Sequence, residues 1–267
     1  MPSLAVNGTT IHYAEEGAGE PVVFVHGTLN DQRYWKPQMA AFGARYRAIA
    51  ISLRHYWPEQ WDGVGEDFKI DQHVADTAAF CAALGAPVRL VGHSRGGHIA
   101  FRIAEARPAW LRALVLAEPG GELDESLGGA AGARGQAAAF AEAAQLLMAG
   151  DKEAALRRVA EHTGGPGAWE RRAEDRKAMN RDNAMTLIGQ RDERRRPYSR
   201  AAAEAITAPT LLVGGDRTLP NFNANLDALE RTVRGAERVT IPDAAHAMSQ
   251  DNPSAFNAAV LDFVAGH

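Results

Sequence analysis

Three features of the sequence predict an α/β fold with a mostly parallel central sheet, helices on both faces and an inserted helical lid. Short runs that are apolar at consecutive positions alternate with segments of helical periodicity, the pattern of strands buried on both faces and joined by crossover helices. Asn7-Gly8 separates two apolar runs at the start of the chain and marks a hairpin, hence an antiparallel edge. Residues 120–200 carry no convincing strand but are rich in Ala, Arg and Glu, which reads as helices inserted between two strands. The expected division is a core of residues 1–119 and 201–267 with a lid of residues 120–200.

The strands are expected at residues 3–6, 9–14, 22–25, 48–51, 88–91, 114–117, 210–213 and 238–241. Between them, Asp71 is read as the cap of a helix whose apolar face carries Val74, Ala78, Cys81 and Ala82, with Gly85 as its stop. A further helix is expected over 98–106, and two more in the insertion over 137–149 and 152–160. Near the end Asn252 and Pro253 form an N-cap and first-turn pair, followed by the apolar stripe Phe256, Val260, Phe263 and Val264.

Composition narrows the function. A chain of 267 residues, 46% hydrophobic and 23% charged, can bury a core and is neither disordered nor fibrous. No apolar run reaches the roughly 18 residues of a spanning helix, and the first ten residues lack a basic start and an apolar stretch, so a cytoplasmic address is expected. A formal charge of −4 argues against a nucleic-acid binder, which needs a basic face. The charge is uneven, because residues 151–200 hold 13 Lys and Arg against 9 Asp and Glu. Arg194-Arg195-Arg196 is read there as a solvated surface. One cysteine, Cys81, excludes an internal disulfide and is expected to be a buried small hydrophobe. Without a dinucleotide loop, Walker A sequence or metal-ligand cluster, no cofactor and no metal are expected.

The chemistry is concentrated in Gly92-His93-Ser94-Arg95-Gly96-Gly97, which directly follows the run 88–91 and opens a helical pattern. G-x-S-x-G places a nucleophile in a strained strand-to-helix turn where flanking side chains would collide. A serine hydroxyl needs a base to take its proton and a carboxylate to orient that base. His246 follows the last strand, and Asp216 ends the one before it in Gly214-Gly215-Asp216. In an open α/β sheet all three sites fall at the carboxyl edge. The backbone N–H groups of Thr28, in Val25-His26-Gly27-Thr28, and of Arg95 are the expected oxyanion hole. His26 is expected to hold loop backbone rather than act as a base.

Taken in order, Val25-His26-Gly27, the Ser94 motif, Gly215-Asp216 and Ala245-His246 resemble the α/β-hydrolase superfamily, over nearly the whole chain. The resemblance implies a serine esterase-like enzyme with Ser94 as nucleophile, His246 as base and Asp216 as acid. Some relatives place the acid after the sixth strand, where Glu118 stands, so Glu118 is the alternative acid or a substrate contact. Asp216 is preferred for its Gly-x-Asp context. After the fourth strand the family pattern Asp-x-Arg-Gly-His-Gly meets Ser52-Leu53-Arg54-His55-Tyr56-Trp57. Arg54 fits that pattern, while bulky His55 and Tyr56 depart from it.

The expected activity is hydrolysis of a small, largely apolar carboxylic ester or lactone through an acyl-enzyme. The pocket candidates are His26, Trp35, Tyr56 and Trp57. The alternatives are cofactor-free oxygenation, perhydrolysis or carbon–carbon bond cleavage on the same fold, or a ligand-binding receptor. Epoxide hydrolase-like chemistry fits less well, because those relatives use aspartate at the position of Ser94. The sequence leaves the substrate's identity and the oligomeric state open.

Overall fold

The computed structural model describes residues 1–130 and 135–267. Its centre is one eight-stranded sheet in the order β1-β2-β4-β3-β5-β6-β7-β8. The strands are β1 Ser3–Val6, β2 Thr9–Glu16, β3 Pro21–Val25, β4 Arg47–Ile51, β5 Val88–His93, β6 Leu111–Ala117, β7 Thr210–Gly215 and β8 Glu237–Ile241. All eight expected strands form. Asn7 and Gly8 both take positive φ, 45° and 74°, the geometry of a two-residue hairpin turn. That hairpin pairs β1 with β2 antiparallel, β2 pairs antiparallel with β4, and every later pairing is parallel. Each residue of β3, β5 and β7 is buried, because helices cover both faces.

Strand alternation divides the core in two. On one face Val23, Val25, Leu90, Leu114 and Leu212 pack against Phe80 of α2 (Ile70–Ala83) and Ile99 and Ile103 of α3 (Arg95–Glu105). On the other face Val22, Phe24, Val91, Val115 and Val213 meet Phe42 of α1 (Lys36–Gly43) and residues of the last helix, Phe256, Val260 and Phe263.

Between β6 and β7 the chain forms α4 Gly135–Met148, α5 Lys152–Gly164, α6 Ala168–Arg171, α7 Glu174–Asp182, α8 Thr186–Gln190 and α9 Arg200–Glu204. Their small core, with Phe140, Leu156, Val159, Trp169 and Leu187, includes Leu29 from the loop after β3. These helices therefore pack as an extension of the sheet domain. After β7 come α10 Pro220–Thr232, α11 Met248–Asp251 and α12 Pro253–Gly266.

The starts of α12 and α2 use different cap residues. The Asn252 side chain accepts from Ala255 N at 3.2 Å, and Pro253 is the first residue of α12, as expected. In contrast α2 begins at Ile70 with Lys69 in the cap position and Asp71 inside the first turn. A carboxylate there still favours the positive helix end, so the same residue type marks both positions.

Candidate active site

Ser94 joins β5 to α3 with φ 53° and ψ −114°, a conformation that an L-residue holds only when its surroundings enforce it. Three hydrogen bonds fix it. Its N–H donates to Ala117 O at 3.0 Å, and its carbonyl accepts from Gly120 N at 2.9 Å and from His98 N at 3.0 Å. The flanking glycines are required by close approach. A Cβ on Gly92 would lie 2.3 Å from Gly96 O, and one on Gly96 would lie 2.1 Å from Val25 O. Packing this tight presses the turn against the loop that carries Thr28. Arg95 is the first residue of α3, so its N–H belongs to the unpaired donors at the helix start. Thr28 lines the same cavity as Ser94, and its Oγ1 donates to Gln190 Oε1 at 3.0 Å.

His246 lies in the turn between β8 and α11, on the wall of that cavity. Its Nδ1 meets Glu118 Oε2 at 2.7 Å. A carboxylate accepts, so the proton sits on Nδ1 and Nε2 is left as the basic nitrogen. Glu118 is fully buried at the end of β6 and has φ 40°. Its Oε1 accepts from Gly215 N at 2.8 Å, and its Oε2 accepts also from Thr218 Oγ1 at 2.7 Å. The imidazole is further held by Phe222, stacked on it at 3.9 Å.

Asp216, the acid expected from the sequence, does not meet His246. Its Oδ2 accepts from Asp243 N and its Oδ1 from Ala244 N, each at 3.0 Å. Its side chain is 43% exposed. Backbone hydrogen bonds from Ala244 and then Asp243 hold its carboxyl below the usual carboxylate range. The physical reason lies at Gly215, whose N–H is turned to the Glu118 carboxylate. The next residue then faces the turn after β8, and Asp216 pins that turn.

The four pocket candidates also fall elsewhere. His26 is buried, with Nδ1 donating to Gly27 O at 2.8 Å and Nε2 accepting from Leu53 N at 3.1 Å. Burial pulls it down to about 4, so it is a neutral clamp between two loops, as expected. Trp35 sits in the core against Phe24 and Phe256. Tyr56 is buried against His26 and Phe68. Trp57 lies under the Arg33 guanidinium at 3.9 Å, and its N–H donates to Asn183 Oδ1. None of the four lines the cavity, because rings at the sheet edge bury more apolar area by turning inward or packing on the inserted helices.

Further side-chain contacts, for which the sequence carries no signal, brace the arrangement. His93 Nε2 donates to His246 O at 2.7 Å and fixes the backbone that carries the His246 imidazole. The Arg95 side chain is fully buried and reaches Glu193 at 2.6 Å and His73 Nδ1 at 2.9 Å. Arg195 joins the same carboxylate at 2.9 Å, so the basic run is not uniformly solvated; Arg194 and Arg196 are exposed, and Arg196 pairs with Glu105. His55 takes φ 68° at a glycine position of the family pattern. Glu59 at 2.7 Å and Asp67 at 2.8 Å hold its ring.

The cavity measures about 180 Å³ and is walled by Ser94, His246 and Thr28 on the sheet side and by Phe140 and Val159 on the inserted side. Among the described residues no group of three metal-ligating side chains occurs, and no helix is long and apolar enough to cross a membrane.

The model of the alpha/beta hydrolase family matches residues 22–259. The chain belongs to that family. It is 32% identical over 113 residues to (E)-2-((N-methylformamido)methylene)succinate hydrolase of Acinetobacter baylyi, covering 41% of each chain. It is 37% identical over 118 residues to a non-heme haloperoxidase of Rhodococcus erythropolis, covering 40% of this chain and 42% of the other. These matches span about two fifths of the length of the curated relatives. Among solved structures, the enol-lactonase of Burkholderia xenovorans LB400 superposes with a TM-score of 0.78 at 20% identity, covering 99% of this chain and all of that one. In this chain Ser94, Glu118 and His246 converge at the carboxyl edge of the sheet.

Proposed function

We propose that this alpha/beta hydrolase cleaves a small carboxylic ester or lactone through an acyl-enzyme on Ser94. The observation that carries the reading is a strained serine at a helix start, sharing one cavity with a histidine whose Nδ1 is held at 2.7 Å by a buried glutamate. His246 Nε2 takes the hydroxyl proton as Ser94 Oγ bonds to the carbonyl carbon. The N–H groups of Thr28 and Arg95 receive the charge on the carbonyl oxygen. His246 then returns the proton to the leaving alkoxide. Water, deprotonated by the same nitrogen, splits the acyl-enzyme and releases the acid. Glu118 orients the imidazole and stabilises its protonated form, a role that passes to it from Asp216. Residues 120–200 act as the lid that limits acyl size. A relative named as a hydrolase, 32% identical over its matched part, supports the reaction class.

Treatment with a fluorophosphonate followed by intact-mass measurement tests the reading. One adduct on the wild type, absent in Ser94→Ala, together with ester turnover lost in the same variant, is expected. Undiminished turnover by folded Ser94→Ala would overturn it.

A further inference from the structure

Arg171, Arg172 and Arg176 stand on the wall of the cavity that holds Ser94 and His246. Elsewhere the buried guanidiniums find carboxylates: Arg54 meets Asp76, and Arg95 and Arg195 share Glu193. Among the described residues no carboxylate lies within 4.0 Å of the guanidinium of any of the three cavity arginines; the adjacent acid, Asp175, accepts instead from the Arg176 backbone N–H at 2.8 Å. Arg171 is exposed and spends its donors on Pro166 O and Gly164 O. The other two are half-buried. Arg172 Nη1 donates to the neutral Asn180 Oδ1 at 2.5 Å. The Nε of Arg176 is buried with no hydrogen-bond partner.

Arg172, just past the end of α6, and Arg176, in the first turn of α7, carry like charges close enough to repel each other. Burial, and then the Arg176 charge, pull Arg172 down to about 10. Asp251 is the carboxylate on the same wall, and its Oδ2 accepts from Ala245 N at 3.0 Å. Beyond the faces of Trp169 at 5.7 Å and Tyr34 at 5.9 Å, Arg172 and Arg176 have no ion-paired carboxylate, and two half-buried cations on one cavity wall are stabilised by a ligand that supplies the counter-charge. A guanidinium presents parallel N–H donors that match the two oxygens of a carboxylate.

We propose that Arg172 and Arg176 form a carboxylate subsite, so that the substrate is an ester or lactone bearing an acid group. Leu29, Phe140, Val159 and Ala168 give the wall an apolar part beside polar Asn30, Thr163 and Asp251, and the volume is small. A short aliphatic spacer therefore separates the acid from the scissile carbonyl, as in a half-ester of a small dicarboxylic acid. The proposal deepens the hydrolase reading and rests on it for turnover, but the anion site itself does not.

The test compares monoethyl glutarate with the neutral ethyl hexanoate, and measures glutarate binding to Ser94→Ala by calorimetry. The wild type is expected to prefer the acidic ester by tenfold or more in kcat/KM. In Arg172→Gln and Arg176→Gln that ratio falls toward one, and adding either substitution to Ser94→Ala weakens glutarate at least tenfold. Equal use of both esters with no effect of the arginine substitutions would overturn the subsite and leave the hydrolase reading standing. No turnover of either ester and no fluorophosphonate adduct, with glutarate still bound through Arg176, would overturn the hydrolase reading and keep the subsite. Inorganic phosphate binding more tightly than glutarate through the same arginines would replace the carboxylate with a phosphate group. No binding of either anion to Ser94→Ala would reject the site.

Discussion

The Glu118 carboxylate fixes three groups at once: Oε2 accepts from His246 and Thr218, and Oε1 accepts from the Gly215 backbone. His246, Thr218 and the end of β7 are thereby locked into one unit, and a neutral isostere disturbs all of it. A glutamine amide can turn its NH₂ toward Nδ1, which moves the imidazole proton to Nε2 and removes the base. Glu118→Gln should therefore lower kcat by about 10³- to 10⁴-fold, the scale seen when an orienting acid becomes an amide. Asp216→Asn should stay within a few-fold in kcat and lower the melting temperature slightly, since Asn keeps one acceptor for the turn. Steady-state kinetics of both folded variants decide the matter, and the opposite ranking would return the acid to Asp216. The sequence places both carboxylates at the ends of neighbouring strands. Which one meets His246 depends on where Gly215 N–H points, and that is a through-space fact with no residue signature.

At the scale of elements, the link from β5 to α3 is the part that tolerates least change. A methyl on Gly96 would have to occupy the space of Val25 O, 2.1 Å away, whereas one on Gly266, late in α12, meets nothing within 4 Å. Gly96→Ala is expected to abolish labelling of Ser94 and to cost several kcal/mol of stability, about the range of an overpacked core site or more. Gly266→Ala should be neutral or stabilising by up to about 1 kcal/mol. Equal melting temperatures for the two variants would contradict this account. The same elements show what makes a fold legible. Strands buried on both faces announce themselves as unbroken apolar runs, and G-x-S-x-G is dictated by contacts as short as these. The aromatic residues were harder to place. Trp35, in a short 3-10 turn before α1, and Tyr56, in the loop after β4, follow strands that end at the site, yet ring area drives them into the core, and only packing distinguishes the two outcomes. For Arg172 and Arg176 the surrounding charge pattern is that of an ordinary solvated helix, so their place on the cavity wall could not be read from it.

For the whole molecule, the titrating groups set a direction with pH. Burial lowers His26 from an ordinary value of 6.5 to about 4, and His73, His93 and His98 are pushed well below it, in each case chiefly by desolvation. Between roughly pH 6.5 and 4 the unfolded chain binds more protons at these sites than the native one, so stability rises with pH and is lost as pH falls. His55 opposes them. Burial lowers it, but hydrogen bonds and charge from Glu59 and Asp67 outweigh that, and the net shift is upward. Its contribution is full below the ordinary histidine range and is lost as pH rises through the raised value. His162 is lowered as well, chiefly by burial, and five groups against one predict a melting temperature that drops from pH 7 to pH 5. Calorimetric scans at constant ionic strength would show it, and a constant or rising melting temperature over that interval would contradict the assignment of neutral buried histidines.

Cys81 lies buried on α2, and burial pushes its thiol up. With one cysteine in 267 residues, the native protein is almost inert to maleimides and other thiol reagents while it stays folded. It is therefore a ready-made background for optical reporters. A single Met148→Cys substitution, at a position 49% exposed at the end of α4, would carry the sole reactive handle. A dye attached there could follow the inserted helices in real time as an ester arrives and its acid departs.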